Sequence, residues 1–227
     1  TMQIDYKKYP TPRMRHHTAS NLYVPFENFK VLPNYYPPVQ TELDWSQHFA
    51  NGKAPEALDI GCGRGGFLLE YAMLHPETNI FGLEVRKQAV DWIAEIITGE
   101  TIKNAAVMWY NSSNRLPFIQ SESLRSAFYF FPDPWHKQKH RKRRAFNLTL
   151  LQELHRTLRP DATLYLMTDV PEVDSYQQEI ISLHEGFEFR YASDDEWNLP
   201  RTDHENFSLK KGIPYIRAIV KKKAVSS

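Results

Sequence analysis

The sequence has little cysteine: Cys62 is the single one among 227 residues. One thiol excludes an internal disulfide framework and is typical of proteins in a reducing compartment. Long hydrophobic runs are also missing, since no apolar stretch approaches the roughly 20 residues that a membrane-spanning helix needs. No signal-peptide pattern opens the chain either. These absences predict a cytoplasmic protein with no membrane partner.

Excess charge is lacking as well. The 28 basic and 27 acidic residues give a net charge of +1, which excludes a uniformly basic nucleic-acid-coating protein. The basic residues are instead concentrated locally, which indicates a patch. Hydrophobic residues make up 41% of the chain, enough for the core of one large α/β domain.

Alternating apolar runs and helical patterns predict a doubly wound α/β fold, with a mostly parallel seven-stranded sheet and an antiparallel edge strand. The sequence predicts an irregular N-terminal arm, rich in basic and aromatic residues, over 2–40. It predicts that residues 41–227 form the α/β domain. The predicted strands are 57–60, 79–83, 105–109, 127–131, 163–167, 187–191 and 215–220. The predicted helices are 41–50, with Thr41 as N-cap, and 67–74, 86–97, 145–158 and 172–184.

The first predicted strand runs into a glycine-rich turn at 61–66. The turn matches G-x-G-x-x-G of dinucleotide sites, and with Asp59 it also matches the D-x-G-x-G of adenosylmethionine-dependent methyltransferases. In both interpretations Gly61 and Gly63 approach a nucleoside whose ribose hydroxyls donate to Glu84. A tight turn without a ligand is the structural alternative. The turn alone therefore predicts a nucleoside but not a reaction.

Two later features favour a methyl donor. Asn111 and Ser112 follow the third strand, where methyltransferases hold the adenine edge with a polar side chain. The fourth strand, which includes Phe130, continues into a proline-rich tetrapeptide akin to the substrate motif of amino-group methyltransferases. A dehydrogenase would need a separate proton-transfer group, and the sequence offers no candidate. The predicted cofactor residues are Asp59, Gly61, Gly63, Glu84, Asn111, Ser112 and Phe130.

The tetrapeptide presents a carboxylate and an indole at a strand end. Pro132 and Pro134 restrict the backbone on both sides of Asp133, and Trp135 follows. A basic tract over 137–144 comes next. An acid, an aromatic ring and many cations together suggest a flat, electron-rich substrate carried on a polyanion. The alternatives are a turn aspartate or helix cap at Asp133 and a solvated face or localisation signal in the tract.

The stretch from Phe131 to Lys137, followed by Lys139-His140 and Lys142-Arg143-Arg144, resembles the signature of the tRNA (guanine-N7)-methyltransferase family. The resemblance covers most of 55–222 and includes Asp59-Ile-Gly-x-Gly, Gly82-Leu-Glu84-Val, Thr168-Asp169 and Thr202-x-x-Glu205. The arm segment Arg13-x-Arg15-His-His17 is similar more loosely. One departure is His204, which stands where the family usually has an aromatic residue.

The resemblance implies transfer of a methyl group from adenosylmethionine to ring nitrogen 7 of a guanosine in the tRNA variable loop. That nitrogen carries a lone pair and no proton, so attack needs no general base. Asp133 is the predicted catalytic residue, because a carboxylate would stabilise the positive charge that develops on the purine. Substrate contacts are predicted for Lys137, Asp169, Thr202, Glu205, Arg143 and Arg144. Thr202 and Glu205 are expected on a loop, where they contact the substrate or close over the cofactor.

Other interpretations remain open. The protein could methylate a base in another RNA, or it could be an inactive RNA-binding relative, although intact Asp59, Glu84 and Asp133 argue against inactivity. A dehydrogenase rests on the glycine turn alone. No metal is predicted, because His136 and His140 lack accompanying carboxylate or thiol ligands. The expected partner is tRNA, and the expected state is a monomer or homodimer.

Overall fold

The computed structural model describes residues 3–14, 20–134 and 144–223. These residues form one seven-stranded sheet and five α-helices. The strands are β1 Ala57–Ile60, β2 Ile80–Glu84, β3 Ala105–Trp109, β4 Leu124–Phe130, β5 Leu158–Thr168, β6 Phe187–Tyr191 and β7 Ile216–Lys222. The helices are α1 Gly66–Leu74, α2 Lys87–Gly99, α3 Leu148–Thr157, α4 Pro171–Ser182 and α5 Asp203–Lys211. Within the described ranges no helix is long and apolar enough to cross a membrane.

The strand order is β3-β2-β1-β4-β5-β7-β6. Pairing is parallel from β3 across to β5, and β7 pairs antiparallel with both β5 and β6. The predicted mostly parallel, doubly wound sheet is confirmed, with the reversed strand one place in from the β6 edge. The order reverses direction between β1 and β4, and ligands of open α/β sheets bind at the carboxyl ends of strands beside such a point.

The central strands are buried on both faces. Every residue of β1 and β2 is buried, which is why these strands read as continuous apolar runs rather than alternating ones. One core cluster lies against α3, with Leu150, Leu151 and Leu154 all at most 1% exposed. A second lies against α1 and α2, and a small third one contains Met167, Trp197 and Ile219. Helices on both faces hold the strand ends in fixed register.

The predicted helix over 41–50 is wrong. Only a 3-10 turn forms, at Trp45–Gln47, and Thr41 does not cap it. Asp44 is the N-cap, with Oδ1 accepting a hydrogen bond from the Ser46 backbone N–H at 3.0 Å. A short polar side chain that binds the backbone two residues on competes with helix formation. The segment therefore turns instead of extending.

The predicted loop carrying Thr202 and Glu205 is also wrong, because these residues begin α5. Thr202 is the N-cap and Glu205 the third helical residue, and the two form a reciprocal capping box. Gly212 ends the helix at φ +69°. The sequence contains the capping signals for both ends of this helix. However, α5 carries few apolar residues, so no strong helical periodicity of hydrophobic residues marks it.

The N-terminal arm lies over the domain where it is described. Tyr9 is buried, and its backbone carbonyl accepts a hydrogen bond from Trp92 Nε1 on α2 at 3.1 Å. Leu22 and Tyr36 are also buried. These contacts bring the 20–36 segment to the carboxyl ends of the strands, next to the candidate site.

Candidate active site

Two adjoining clefts open at the carboxyl edge of the sheet. The first, the strand-end cleft, has a volume of about 500 Å³ and contains Glu84, Asp133 and Asp169. The second, the loop cleft, measures about 560 Å³ and contains Asp59 with the glycine-rich turn. Both are lined by Gly61, Gly63, Arg86, Phe130, Phe131 and His204. The seven predicted cofactor residues therefore lie on connected walls with three of the predicted acceptor residues, Asp133, Asp169 and Thr202.

The glycine-rich turn leaves open space above its backbone. Gly61 has φ +73°, and a Cβ placed on it would meet no atom within 4 Å, so this surface is open to a ligand. Gly65 has φ +80° and lies against α2, where an added Cβ would come within 2.8 Å of Ile93 Cγ1. The turn thus has one face that packs tightly and one that is exposed to the cleft.

Two acidic side chains flank the turn. Asp59 is 3% exposed, and burial, reinforced by the nearby Glu84 charge, raises its pKa to about 8. Glu84 ends β2, and its Oε1 accepts from the Gly63 N–H at 3.1 Å. Its Oε2 accepts from both the backbone N–H and Nε of Arg86 at 2.9 Å. Each carboxylate oxygen has two lone pairs, so Glu84 keeps acceptor capacity towards ribose hydroxyls.

The side chain of Asn111 is hydrogen-bonded to other residues of the protein. Its Oδ1 accepts from Ser113 N and Oγ, and its Nδ2 donates to the carbonyl of Leu22, to the Val24 carbonyl at 3.2 Å and to Tyr36 Oη at 3.2 Å. Asn111 therefore ties the arm to the end of β3 in this structure. It lines the strand-end cleft together with Ser112, and adenine contacts of both stay predictions.

Asp133 lines the strand-end cleft just beyond β4, and its Oδ2 accepts a hydrogen bond from Tyr23 Oη at 2.6 Å. Phe130 ends β4, lies in both clefts and packs edge-on against Phe67 with centroids 5.0 Å apart. Phe131 follows at φ +47°, a backbone conformation that aromatic residues seldom adopt. The chain turns sharply there and brings Asp133 over the cleft.

The three acceptor-side residues near α5 differ in accessibility. Asp169 lies directly after β5, lines the cleft and pairs with His204 at 3.0 Å. Thr202 lines the loop cleft while its Oγ1 caps Glu205 N at 2.9 Å. Glu205 is fully buried, with Oε1 accepting from Thr202 N and Oε2 from Arg217 at 2.8 Å. This geometry gives Glu205 a structural role, and its substrate contact stays a prediction.

The basic tract falls largely outside the described residues. Lys137 and Arg143 lie there, as do Trp135 and the two histidines at 136 and 140. Arg144 is described and is 7% exposed, with its guanidinium over the Tyr176 ring at 4.3 Å. It packs against α4, and a phosphate contact of Arg144 stays a prediction.

Sequence reasoning missed three residues of the clefts: Arg86, Tyr23 and His204. Arg86 stands two residues after Glu84. A cation so close to a carboxylate predicted to bind ribose is a signal that sequence reasoning could have used. Tyr23 had none, because its contact with Asp133 spans 110 residues of chain. His204 was noticed only as a departure from the family pattern.

Comparison with solved structures shows the fold. A 16S rRNA methyltransferase, KamB, covers 82% of this chain and 96% of its own, with a TM-score of 0.54 and 16% identity. A SAM-dependent methyltransferase from Aquifex aeolicus matches with a TM-score of 0.50 and 16% identity, over 75% of this chain and 82% of that one. The chain therefore has the fold of these methyltransferases, with a glycine-rich turn and strand-end acids at the carboxyl edge of its sheet.

Sequence comparison narrows this class. The family model described as a putative methyltransferase matches residues 53–222. A tRNA (guanine-N(7)-)-methyltransferase of Synechococcus elongatus is 32% identical over 85% of this chain and 93% of its own. One of Thermosynechococcus vestitus is 34% identical over 77% and 83%, and one of Schizosaccharomyces pombe 32% over 72% and 66%. The chain belongs to the tRNA (guanine-N7)-methyltransferase family, and its match spans about two thirds of the Schizosaccharomyces pombe relative.

Proposed function

We propose that this protein transfers a methyl group from adenosylmethionine to ring nitrogen 7 of a guanosine in the tRNA variable loop. The supporting observation is the strand-end cleft, which brings Glu84 from the cofactor side and Asp133 and Asp169 from the acceptor side into one cavity. The family assignment and the names of the relatives support the same reaction. We further propose a cytoplasmic monomer or homodimer that needs no metal ion.

The residues around the glycine-rich turn fit adenosylmethionine. The open backbone at Gly61 accepts a ligand without steric overlap, and Glu84 Oε1 keeps one lone pair for a ribose hydroxyl. Asp59 would face the cationic methionine end, where a neighbouring positive charge favours the ionised carboxylate. When bound, the cofactor supplies an electrophilic methyl group on a sulfonium.

On the acceptor side, the chain has to align guanine and accommodate the charge that develops on it. Nitrogen 7 has a free lone pair, so no residue needs to remove a proton before attack. Asp133 would accept from a guanine N–H and place negative charge beside the purine as it becomes cationic. To bind the base, Asp133 would give up its hydrogen bond from the Tyr23 hydroxyl and accept one from guanine instead. Alignment itself is worth on the order of 7–11 kcal/mol at best.

An Asp133→Asn variant tests this role. With unmodified tRNA and labelled adenosylmethionine, we expect kcat to fall about 100-fold or more, because an amide keeps the shape of the side chain but carries no charge. Cofactor affinity should stay within about twofold of wild type. The measurements are single-turnover methyl transfer and calorimetric titration of the cofactor.

Asp161→Asn is the matched control, since this exposed carboxylate lies near the amino end of β5, away from both clefts. It should behave as wild type. Loss of cofactor binding in Asp133→Asn would move Asp133 out of the acceptor site. Full activity in that variant would remove it from the reaction.

A further inference from the structure

The acidic side chains of the strand-end cleft each have a hydrogen-bond donor beside them. The pairs are Glu84 with Arg86 at 2.9 Å, Asp133 with Tyr23 at 2.6 Å and Asp169 with His204 at 3.0 Å. Like charges in one cleft repel each other, and a donor beside each carboxylate offsets that repulsion. The third pair involves a residue to which the proposed reaction gives no role.

His204 has a defined orientation. Its Nε2 lies 3.0 Å from Asp169 Oδ2, and an ionised carboxylate only accepts hydrogen bonds, so Nε2 carries the proton. Its ring lies over Phe131, with centroids 4.1 Å apart and planes at 31°. One imidazole therefore contacts both the residue after β5 and the residue after β4.

Phe131, on whose ring His204 packs, has an unfavourable backbone conformation with φ +47°. The chain continues from it through Pro132 into Asp133. The Phe131 backbone N–H donates to the Met167 carbonyl at 2.8 Å, which holds the turn to β5. His204 packs on the Phe131 ring and so makes a second contact with this strained turn. The same side chain thus supports both acceptor-side carboxylates.

The first turn of α5 links this contact to the cofactor side. Asp203, the residue before His204, lies so close to Gly66 that an added Cβ there would come within 2.7 Å of its Oδ2. The capping box fixes the start of the helix, and Glu205 is tied to Arg217 on β7 at 2.8 Å. His204 therefore extends from a rigid support and lines both clefts.

We propose that His204 is a positioning residue for the acceptor base, which holds Asp169 through Nε2 and the turn leading to Asp133 through its ring. This inference rests on the proposed methyl transfer to tRNA. A phenylalanine at this position could pack on Phe131 but could not donate to Asp169. In this chain the orientation of Asp169 therefore depends on His204.

Two substitutions separate the functions of the side chain. His204→Phe keeps a ring over Phe131 and loses the donor, whereas His204→Gln keeps a donor near the Nε2 position and loses the ring. We expect His204→Phe to lower kcat/KM for tRNA about tenfold, which is the size of one lost hydrogen bond to a charged group. His204→Gln should recover activity to within about threefold of wild type. The dissociation constant of adenosylmethionine should not change in either variant.

A double-mutant cycle identifies the partner. If His204 acts through Asp169, adding His204→Phe to Asp169→Ala, which leaves no acceptor for Nε2, should cause no further loss of kcat/KM. His75→Phe is the matched control. His75 is 40% exposed, against 43% for His204, it packs on the Tyr71 ring at 4.5 Å, and it lies 3.9 Å from the Glu77 carboxylate at the opposite edge of the sheet. This control should methylate as wild type does.

The outcomes separate this inference from the proposed function. Wild-type protein that fails to methylate tRNA would overturn both. Active wild type with an equally active, stably folded His204→Phe variant would overturn the inference alone. Additive losses in the Asp169→Ala background would also contradict it, because the two side chains would then act independently.

Discussion

Asp59 lies beneath the glycine-rich turn, and its ionisation is opposed by its surroundings. Burial, followed by the charge of Glu84, raises its pKa to about 8. In the unfolded chain an aspartate titrates near pH 4. Between these two values the folded protein keeps a proton that the unfolded chain has released. The residue therefore favours folding most below about pH 4, and this contribution is lost as the pH rises through the folded pKa.

We expect Asp59→Asn to remove this pH dependence. The free energy of unfolding of wild type should fall relative to the variant as the pH rises from about 4 to about 8, because only wild type must ionise a buried group. Denaturant unfolding at several pH values without cofactor measures the difference. Asp161→Asn, at an exposed site, should track wild type. A constant difference between Asp59→Asn and wild type would show that Asp59 titrates normally.

Among the secondary-structure elements, α5 matters most to the acceptor side. Thr202 and Glu205 cap it reciprocally, and Glu205 also pairs with Arg217 while fully buried. The guanidinium of Arg217 lies over the Trp197 ring at 5.2 Å. The helix start is thus held by its own cap and by an ion pair to β7 whose carboxylate is fully buried.

We expect Thr202→Ala to lower the free energy of unfolding by about 1 kcal/mol, the usual value of an N-cap. Glu205→Ala should cost about 3 kcal/mol or more, because it leaves the Arg217 charge without its ion-pair partner. Thr202→Ser, which retains the capping hydroxyl, is the control. Denaturant titration checks these values. If both variants unfold like wild type but lose activity, then Thr202 and Glu205 contact substrate instead.

The same segment shows what the sequence could predict. The parallel strands and the glycine-rich turn follow from apolar runs and local motifs, and β1, β3 and β6 have their predicted bounds. The spacing of Thr202 and Glu205 signals a capping box equally clearly, but the family resemblance had suggested a substrate loop. Long-range pairs such as Tyr23 with Asp133 leave no local pattern, so only the folded chain brings them together.

In the whole molecule, a net charge of +1 conceals an uneven distribution of basic residues. The proposed tRNA surface includes the tract at 137–144, of which Arg144 alone is described. Arg144 is packed on Tyr176, whereas its neighbour Arg143 lies outside the described residues. The packing of Arg144 on Tyr176 predicts a contribution of this residue to stability, besides the phosphate contact predicted for both arginines.

We expect Arg143→Gln to reduce the slope of log affinity for tRNA against log salt by about 0.7–0.9 for a lost phosphate contact. Arg144→Gln should instead lower the melting temperature, since it removes a buried cation from an aromatic ring. Filter binding over a salt series and thermal unfolding measure these effects. Lys53→Gln, at an exposed position away from the clefts, should change neither. An unchanged slope in Arg143→Gln would exclude that residue from the tRNA surface.

The most direct test of the methyl-transfer function is the position of the methyl group on the product. Unmodified tRNA is incubated with the protein and labelled adenosylmethionine, digested, and its nucleosides are separated and identified by mass spectrometry, with sequencing of the labelled fragment. The strand-end cleft and the family assignment predict 7-methylguanosine at a single variable-loop position. Label on an exocyclic amine, on ribose or on another base would contradict the proposed function.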